Sequence, residues 1–332
     1  MTKISIIMPV YNSENYLAAT LECLQNQIFK DFELICINDG STDNSLKILE
    51  EFSKQADFQV KIINQENQGA GASRNYGFTF ASGETAIFLD CDDLFNPDFL
   101  DKMYKKYQET HADIVICKYK ILSSEGEYFQ QELGINDSKL PDKNIFCAHD
   151  IPEHIFNFTN HAAWNKLYKT DFIKENNLKF DNTPQTNDTY FTLCSLLTAK
   201  KITTTNEALI TYRFYHTGST SSVINNYDFY TMLPFQKLPY HLSQLGLQNK
   251  KVKRSFDKDC IATILFTVFL INRNRRKEFI HYIKNNIFLY NSVLLFIIKN
   301  LPDWVYTFGI KLEYIIRRIK QANFLRNKIV PN

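Results

Sequence analysis

The sequence predicts an α/β fold: a mostly parallel sheet with flanking helices, followed by a helical C-terminal region. Residues 1–117 alternate short apolar runs with stretches of helical apolar spacing, the pattern of βα units laid on a parallel sheet. Half of the 10 glycines, at positions 40, 69, 71, 77 and 83, fall in or near the loops after the second to fourth runs. Glycine there lets a ligand approach the backbone closely. From about residue 226 the pattern changes to helices rich in aromatics and Lys/Arg.

Strands are expected over Lys3–Met8, Phe32–Ile37, Val60–Asn64, Thr85–Leu89 and Ile114–Lys118. Helices are expected over Glu14–Gln27, Asp43–Phe52, Ala72–Ala81 and Pro97–Gln108, with Ser13 and Asn96 as helix starts. Residues 119–225 are more mixed, with strands near Lys118–Leu122, Tyr128–Gln131 and Ala208–Phe214 and a helix near Asp188–Leu197. The expected domains are 1–225 and 226–332, in keeping with roughly 100–200 residues per domain.

Composition bounds the function. With 332 residues, 44% apolar, the chain can bury a real core. Its 7 cysteines never show the C-x-x-C spacing, which argues against a zinc site or a disulfide framework. The start lacks the basic-then-apolar run of a secretory signal, so a cytoplasmic location is expected. The apolar runs Cys260–Ile271 and Ile287–Ile298 are 12 residues each, against the about 20 that a membrane-spanning helix needs. The net charge of +2 hides an asymmetry: from Lys251 onward 16 Lys/Arg face 5 Asp/Glu, while the first 250 residues hold 22 against 31. An acidic body of this kind repels a phosphate backbone, so no nucleic-acid partner is expected.

In an open parallel sheet, ligands bind beyond the carboxyl ends of the strands, so chemistry is sought in the loops there. The fourth strand ends in Leu89-Asp90-Cys91-Asp92-Asp93, and crowded carboxylates are best tolerated beside a divalent cation such as Mg²⁺ or Mn²⁺. An ordinary acidic helix cap is the competing reading. Asn38-Asp39-Gly40-Ser41-Thr42-Asp43 follows the second strand, and Asp39 suits a hydrogen bond to a base or ribose. Asn67-Gln68-Gly69-Ala70-Gly71-Ala72-Ser73-Arg74-Asn75 has half of a dinucleotide fingerprint, but Arg74 stands where its third glycine belongs. Arg74 suits either a nucleotide or a salt bridge to the acidic turn. Asp188 opens a helix and by itself reads as its cap; Arg213, His216 and Ser219 form a later polar cluster.

The joint order of these pieces resembles the family 2 glycosyltransferases. The resemblance runs over about residues 3–222 and adds Pro9-Val10-Tyr11-Asn12, Trp164-Asn165-Lys166-Leu167 and Asn187-Asp188 to the motifs above. It implies a Rossmann-like GT-A fold, with residues 1–118 as a nucleotide-binding half and 119–225 as an acceptor-side half. Pro9, Tyr11, Asn12, Asp39, Asn67 and Arg74 would hold the base and ribose of a nucleotide-sugar, a UDP-sugar by this resemblance. Asp90 and Asp92 match a D-x-D motif for donor and metal, with Cys91 between them. Asp188 matches the catalytic base, although Asn187 stands where many relatives carry Glu. Arg213 and Ser219 would contact the diphosphate, and His216 the diphosphate or the metal. The implied reaction is an inverting transfer, dependent on Mn²⁺ or Mg²⁺, to a glycan or lipid-linked acceptor of a bacterial surface polysaccharide, lipopolysaccharide or glycoprotein. A sugar nucleotidyltransferase and a non-catalytic nucleotide-sugar-binding subunit are the rival readings.

In the tail, Leu312, Ile315, Ile316, Ile319 and Ala322 fall at helical spacing, opposed mostly by Lys311, Arg317, Arg318, Lys320 and Gln321. Arg273, Arg275, Arg276 and Lys277 form a second basic cluster. Such a stripe suits the anionic inner face of a cell membrane, and equally packing on the catalytic domain or on a second copy in a homo-oligomer.

Overall fold

A computed structural model describes residues 2–122, 128–213, 229–270 and 273–300. Strands β1 (Ile4–Val10), β2 (Phe32–Asp39) and β4 (Thr85–Phe88) are buried along their whole lengths, as strands covered on both faces must be. β3 (Gln59–Gln65) is the half-exposed edge. These four pair in the order β3-β2-β1-β4, all parallel, with Ile4 beside Phe32 and Thr85. Their carboxyl ends therefore open on one side of the sheet.

The helices between them are α1 (Leu17–Gln25), α2 (Ser45–Ser53), α3 (Ala70–Phe78) and α4 (Phe99–Thr110). α1 begins after the expected Ser13-Glu14 start, because the backbone N–H groups of Ser13 and Glu14 are held by the Ser45 hydroxyl and the Asp43 carboxylate. α4 also begins later than expected, and the Asn96 side chain donates to Ala208 O instead of capping it.

Beyond β4 the sheet continues through β8 (Lys166–Lys169), β6 (Ile114–Leu122), β9 (Ile202–Arg213) and β5 (Leu94–Phe95). Here the pairing is mixed: β4 with β8, β8 with β6 and β9 with β5 are antiparallel, and β6 with β9 is parallel. β7 (Tyr128–Leu133) pairs antiparallel with β6. The two strands expected either side of Lys118 are one strand, β6, with register shifts against β9 at Lys118. β8 carries too short an apolar signal to be read in sequence; the slot between β4 and β6 makes it a strand. α5 (Thr170–Glu175) and α6 (Thr189–Thr198) follow.

One face of the sheet buries Ile4, Ile6 and Met8 with Leu17, Leu21, Leu24, Phe99 and Met103. Elsewhere an aromatic cluster forms, where Phe180 stacks on Phe191 at 4.0 Å and Phe88 meets both edge-on. Aromatic pairs of this kind add about 0.5–1.5 kcal/mol each beyond their buried area.

The chain divides into two compact units, one drawn from residues 1–222 and 238–255, the other from 223–237 and 256–332. Of the helices that follow, α7 (Leu233–Gln244) and α8 (Lys250–Leu270) each contribute residues to both units, and α9 (Arg273–Asn286) and α10 (Ser292–Asn300) belong to the second. Within the second unit Phe229 stacks on Phe279 and Tyr282, and Asp257 accepts from the N–H groups of Tyr290 and Asn291. Among the described residues no helix is long and apolar enough to cross a membrane. The stripe from Leu312 to Ala322 lies outside the described residues.

Candidate active site

The loops after β1, β2 and β3 are laced together. Pro9 is buried in β1, while Tyr11 beyond it is 51% exposed. Asn12 adopts a left-handed backbone (φ 46°) and its side-chain oxygen accepts from the Thr42 N–H at 2.8 Å. Glu14 accepts from both the backbone and side-chain nitrogen of Asn44. Asp39, buried at the end of β2, accepts from Gln65 Nε2 and from the N–H groups of Gln68 and Gly69, at 2.6 to 2.9 Å. Gly40 is required beside it: its φ is +72°, and a Cβ there would lie 2.9 Å from the Asn67 nitrogen. Asn67 is thereby set, exposed, against the β2 loop.

The acidic turn follows β4 directly. Asp90, Asp92 and Asp93 each present an oxygen within 4.8 Å of the others. Asp93 is fully buried; one oxygen accepts the Arg213 N–H at 3.1 Å and the other, Oδ2, has no hydrogen-bond partner. Burial first, then the charges of Asp92 and Asp90, hold its carboxyl well above the usual range. Burial likewise raises the carboxyl of Asp90, with Arg74 opposing and Asp92 and Asp188 adding to the rise. This donor set, three clustered carboxylates with an unpartnered buried oxygen, fits a hard divalent cation. Cys91 points away, its thiol donating to the Ser13 hydroxyl, which in turn donates to Tyr11 O. The Arg213 guanidinium sits 5.5 Å from the centre of the Tyr16 ring. His216 and Ser219 lie outside the described residues.

α3 joins these loops to the far side of the site. Arg74, 7% exposed, donates to Asp90 Oδ1 at 2.5 Å and to Asn187 Oδ1 at 2.7 Å. The Asn75 side-chain amide clasps the backbone of Phe180, its nitrogen donating to Phe180 O and its oxygen accepting from the Phe180 N–H. A Cβ on Gly71 would stand 2.0 Å from Asp181 O, so glycine there lets α3 abut the 181–187 segment. That segment delivers Asp188 to the N-cap position of α6, where its carboxylate makes no capping hydrogen bond. The simple cap reading of Asp188 is therefore not what the geometry displays.

The family model described as glycosyl transferase family 2 matches residues 5–172, just over half of the chain. The chain belongs to this family.

Glycosyltransferase GlyA of Streptococcus pneumoniae is 36% identical over 224 residues, 67% of this chain and 32% of the relative. The poly(ribitol-phosphate) beta-glucosyltransferase of Bacillus spizizenii is 34% identical over 222 residues, 64% of this chain and 32% of the relative. The match thus spans about a third of the length of these two curated relatives. TarS residues 1–349 of S. aureus, solved in complex with UDP-GlcNAc, align with a TM-score of 0.68 at 21% identity, over 85% of this chain and 80% of that one. The likeness establishes a shared GT-A fold.

In this family 2 member the expected site residues that are described fall into two connected groups. Tyr11, Asn12, Asp39 and Asn67 lie on the first three loops; Arg74, Asp90, Asp92, Arg213 and Asp188 surround the acidic turn. The bond from Cys91 to Ser13 connects them. Thr20 and Gln65 stand outside the sequence motifs, and Ser13 enters only as a helix start; yet Thr20 bonds α1 to the acidic turn, Gln65 donates to Asp39, and Ser13 bonds to Ser45 and Cys91. Of the three only Thr20 is fully buried, and its signal is a single hydroxyl in the apolar stripe of α1.

Proposed function

We propose that this family 2 glycosyltransferase moves a sugar from a UDP-sugar donor to a hydroxyl of a bacterial surface glycan, inverting the anomeric carbon. The observation that carries the reading is Asp188, a carboxylate not spent on its own helix and tied through Asn187 and Arg74 to the acidic turn. Asp188 takes the acceptor's hydroxyl proton as the acceptor oxygen bonds to the anomeric carbon and the bond to the nucleoside diphosphate breaks. Tyr11, Asn12, Asp39 and Asn67 are assigned to the base and ribose, and Arg213 and Ser219 to the diphosphate. A divalent ion held by Asp90 and Asp92, with His216 as a further candidate ligand, would supply charge neutralisation of the leaving diphosphate. The uridine donor is supported by the UDP-GlcNAc complex of TarS, and the surface-glycan acceptor by the poly(ribitol-phosphate) enzyme. The transfer site belongs to residues 1–225, and the basic region after 226 faces a cytoplasmic membrane surface that bears the acceptor.

The test is a nucleotide-sugar panel with Mn²⁺, read first by thermal shift and then by release of nucleoside diphosphate. A UDP-sugar is expected to raise the melting temperature and to be slowly hydrolysed. Asp188→Asn is expected to keep donor binding and to lose roughly 10²-fold or more in transfer. Release of pyrophosphate would favour a nucleotidyltransferase, binding without turnover a non-catalytic subunit, and near-normal turnover in Asp188→Asn would remove the base assignment.

A further inference from the structure

The buried face of α1 reads Leu17, Thr20, Leu21 and Leu24, with one hydroxyl among leucines. Thr20 is 0% exposed, and its Oγ1 lies 3.0 Å from Cys91 O and 2.8 Å from Asp93 O, both nearer than Tyr16 O one turn back at 3.5 Å. Those two carbonyls flank Asp92. A hydroxyl carries one proton, so it serves the two carbonyls as a shared bond. A valine would fill the same space and suit the leucines better, so the hydroxyl answers to the turn rather than to packing. On the turn's other side the Cys91 thiol is tied to Ser13.

We propose that Thr20 is a positioning residue for the acidic turn: its hydroxyl fixes the backbone on both sides of Asp92 and so sets where the cation-binding carboxylates stand. This rests on the reading of Asp90 and Asp92 as ligands of a divalent ion. Thr20 lies outside the motifs read in the sequence, and its hydroxyl bonds only to backbone carbonyls.

The experiment measures Mn²⁺ affinity of the full chain by calorimetry in the presence of UDP, with melting temperatures as a check of folding. Thr20→Val keeps the shape and removes the donor; its Mn²⁺ affinity is expected to fall about five- to tenfold, the worth of one buried hydrogen bond. Thr20→Ser restores the donor and is expected to stay within about twofold of wild type. Wild-type affinity in a folded Thr20→Val, or an equal loss in Thr20→Ser, overturns the proposal. If Thr20→Val does not fold, Thr20→Ser decides: retained affinity supports the proposal and lost affinity overturns it. Asp92→Asn is run alongside. Loss of binding there with a wild-type-like Thr20→Val defeats the Thr20 role alone, whereas Mn²⁺ binding untouched by Asp92→Asn defeats the metal reading and this proposal with it.

Discussion

Arg74 and Asn187, 113 residues apart in sequence, are joined by a buried hydrogen bond of 2.7 Å, and the same guanidinium grips Asp90. One side chain therefore spans from the acidic turn to the residue beside Asp188. The rigid fork holds Nη1 and Nη2 at a fixed spacing for the two partners, a geometry that the compact ammonium of a lysine does not reproduce. Arg74→Lys is expected to leave the chain folded, since the charge opposite Asp90 remains, and to lower the transfer rate by about tenfold through misplacement of the reacting groups. Steady-state kinetics checks this, with a wild-type rate in Arg74→Lys as the contrary result.

Asp92→Asn removes one of the carboxylates that a cation needs. Binding of UDP by the wild type is expected to weaken when EDTA is added, by tenfold or more, on the order of a lost charged contact. In Asp92→Asn the calorimetric affinity should be the same with and without EDTA. Equal metal dependence in the two proteins would return the acidic turn to a structural role.

Lys166 gives a pH prediction. It is fully buried in β8, and its ammonium lies 2.7 to 3.1 Å from Asn160 O, Asn160 Oδ1, Ala162 O and Asn165 Oδ1. Burial lowers its pKa from 10.5 to about 7, with the Asp188 and Cys117 charges opposing. Below about 7 folded and unfolded chains both carry the proton; between about 7 and 10.5 only the unfolded chain does, so this group makes stability rise with pH across that window. The rise is at most about 1.4 kcal/mol per pH unit. Urea unfolding of wild type and Lys166→Met should therefore diverge in the wild type's favour as pH rises from about 7 to about 9. Parallel curves would mean that Lys166 does not change its protonation on folding.

The C-terminal region, basic from Lys251 onward, is expected to bind anionic liposomes in a salt-sensitive way, each basic residue contributing on the order of 1 kcal/mol. Sedimentation compares the full chain with one truncated after residue 250. No salt-sensitive difference between them assigns the region to packing or to self-association.

The βα alternation, the α/β class and the order of the motifs are legible in the amino-acid order alone, because apolar periodicity and strand-end glycines are local signals. That order brought Asp39, Asp90 and Asp92 to the correct ends of their strands, and it marked Asp188 at a helix start. Tertiary structure decided what those residues touch. Asp39 is engaged by Gln65, Gln68 and Gly69, and Arg74 lies between Asp90 and Asn187, since side-chain partners are chosen by packing across 16 to 113 residues of chain. β8, four residues long, became a strand only because β4 and β6 left a hydrogen-bonding slot for it. Thr20 gained its role in the same way: a lone hydroxyl in a leucine stripe has no meaning until folding puts the carbonyls of Cys91 and Asp93 within reach. Local pattern fixes which segments are helix or strand, whereas the buried hydrogen bonds that shape the site are satisfied only when distant segments meet.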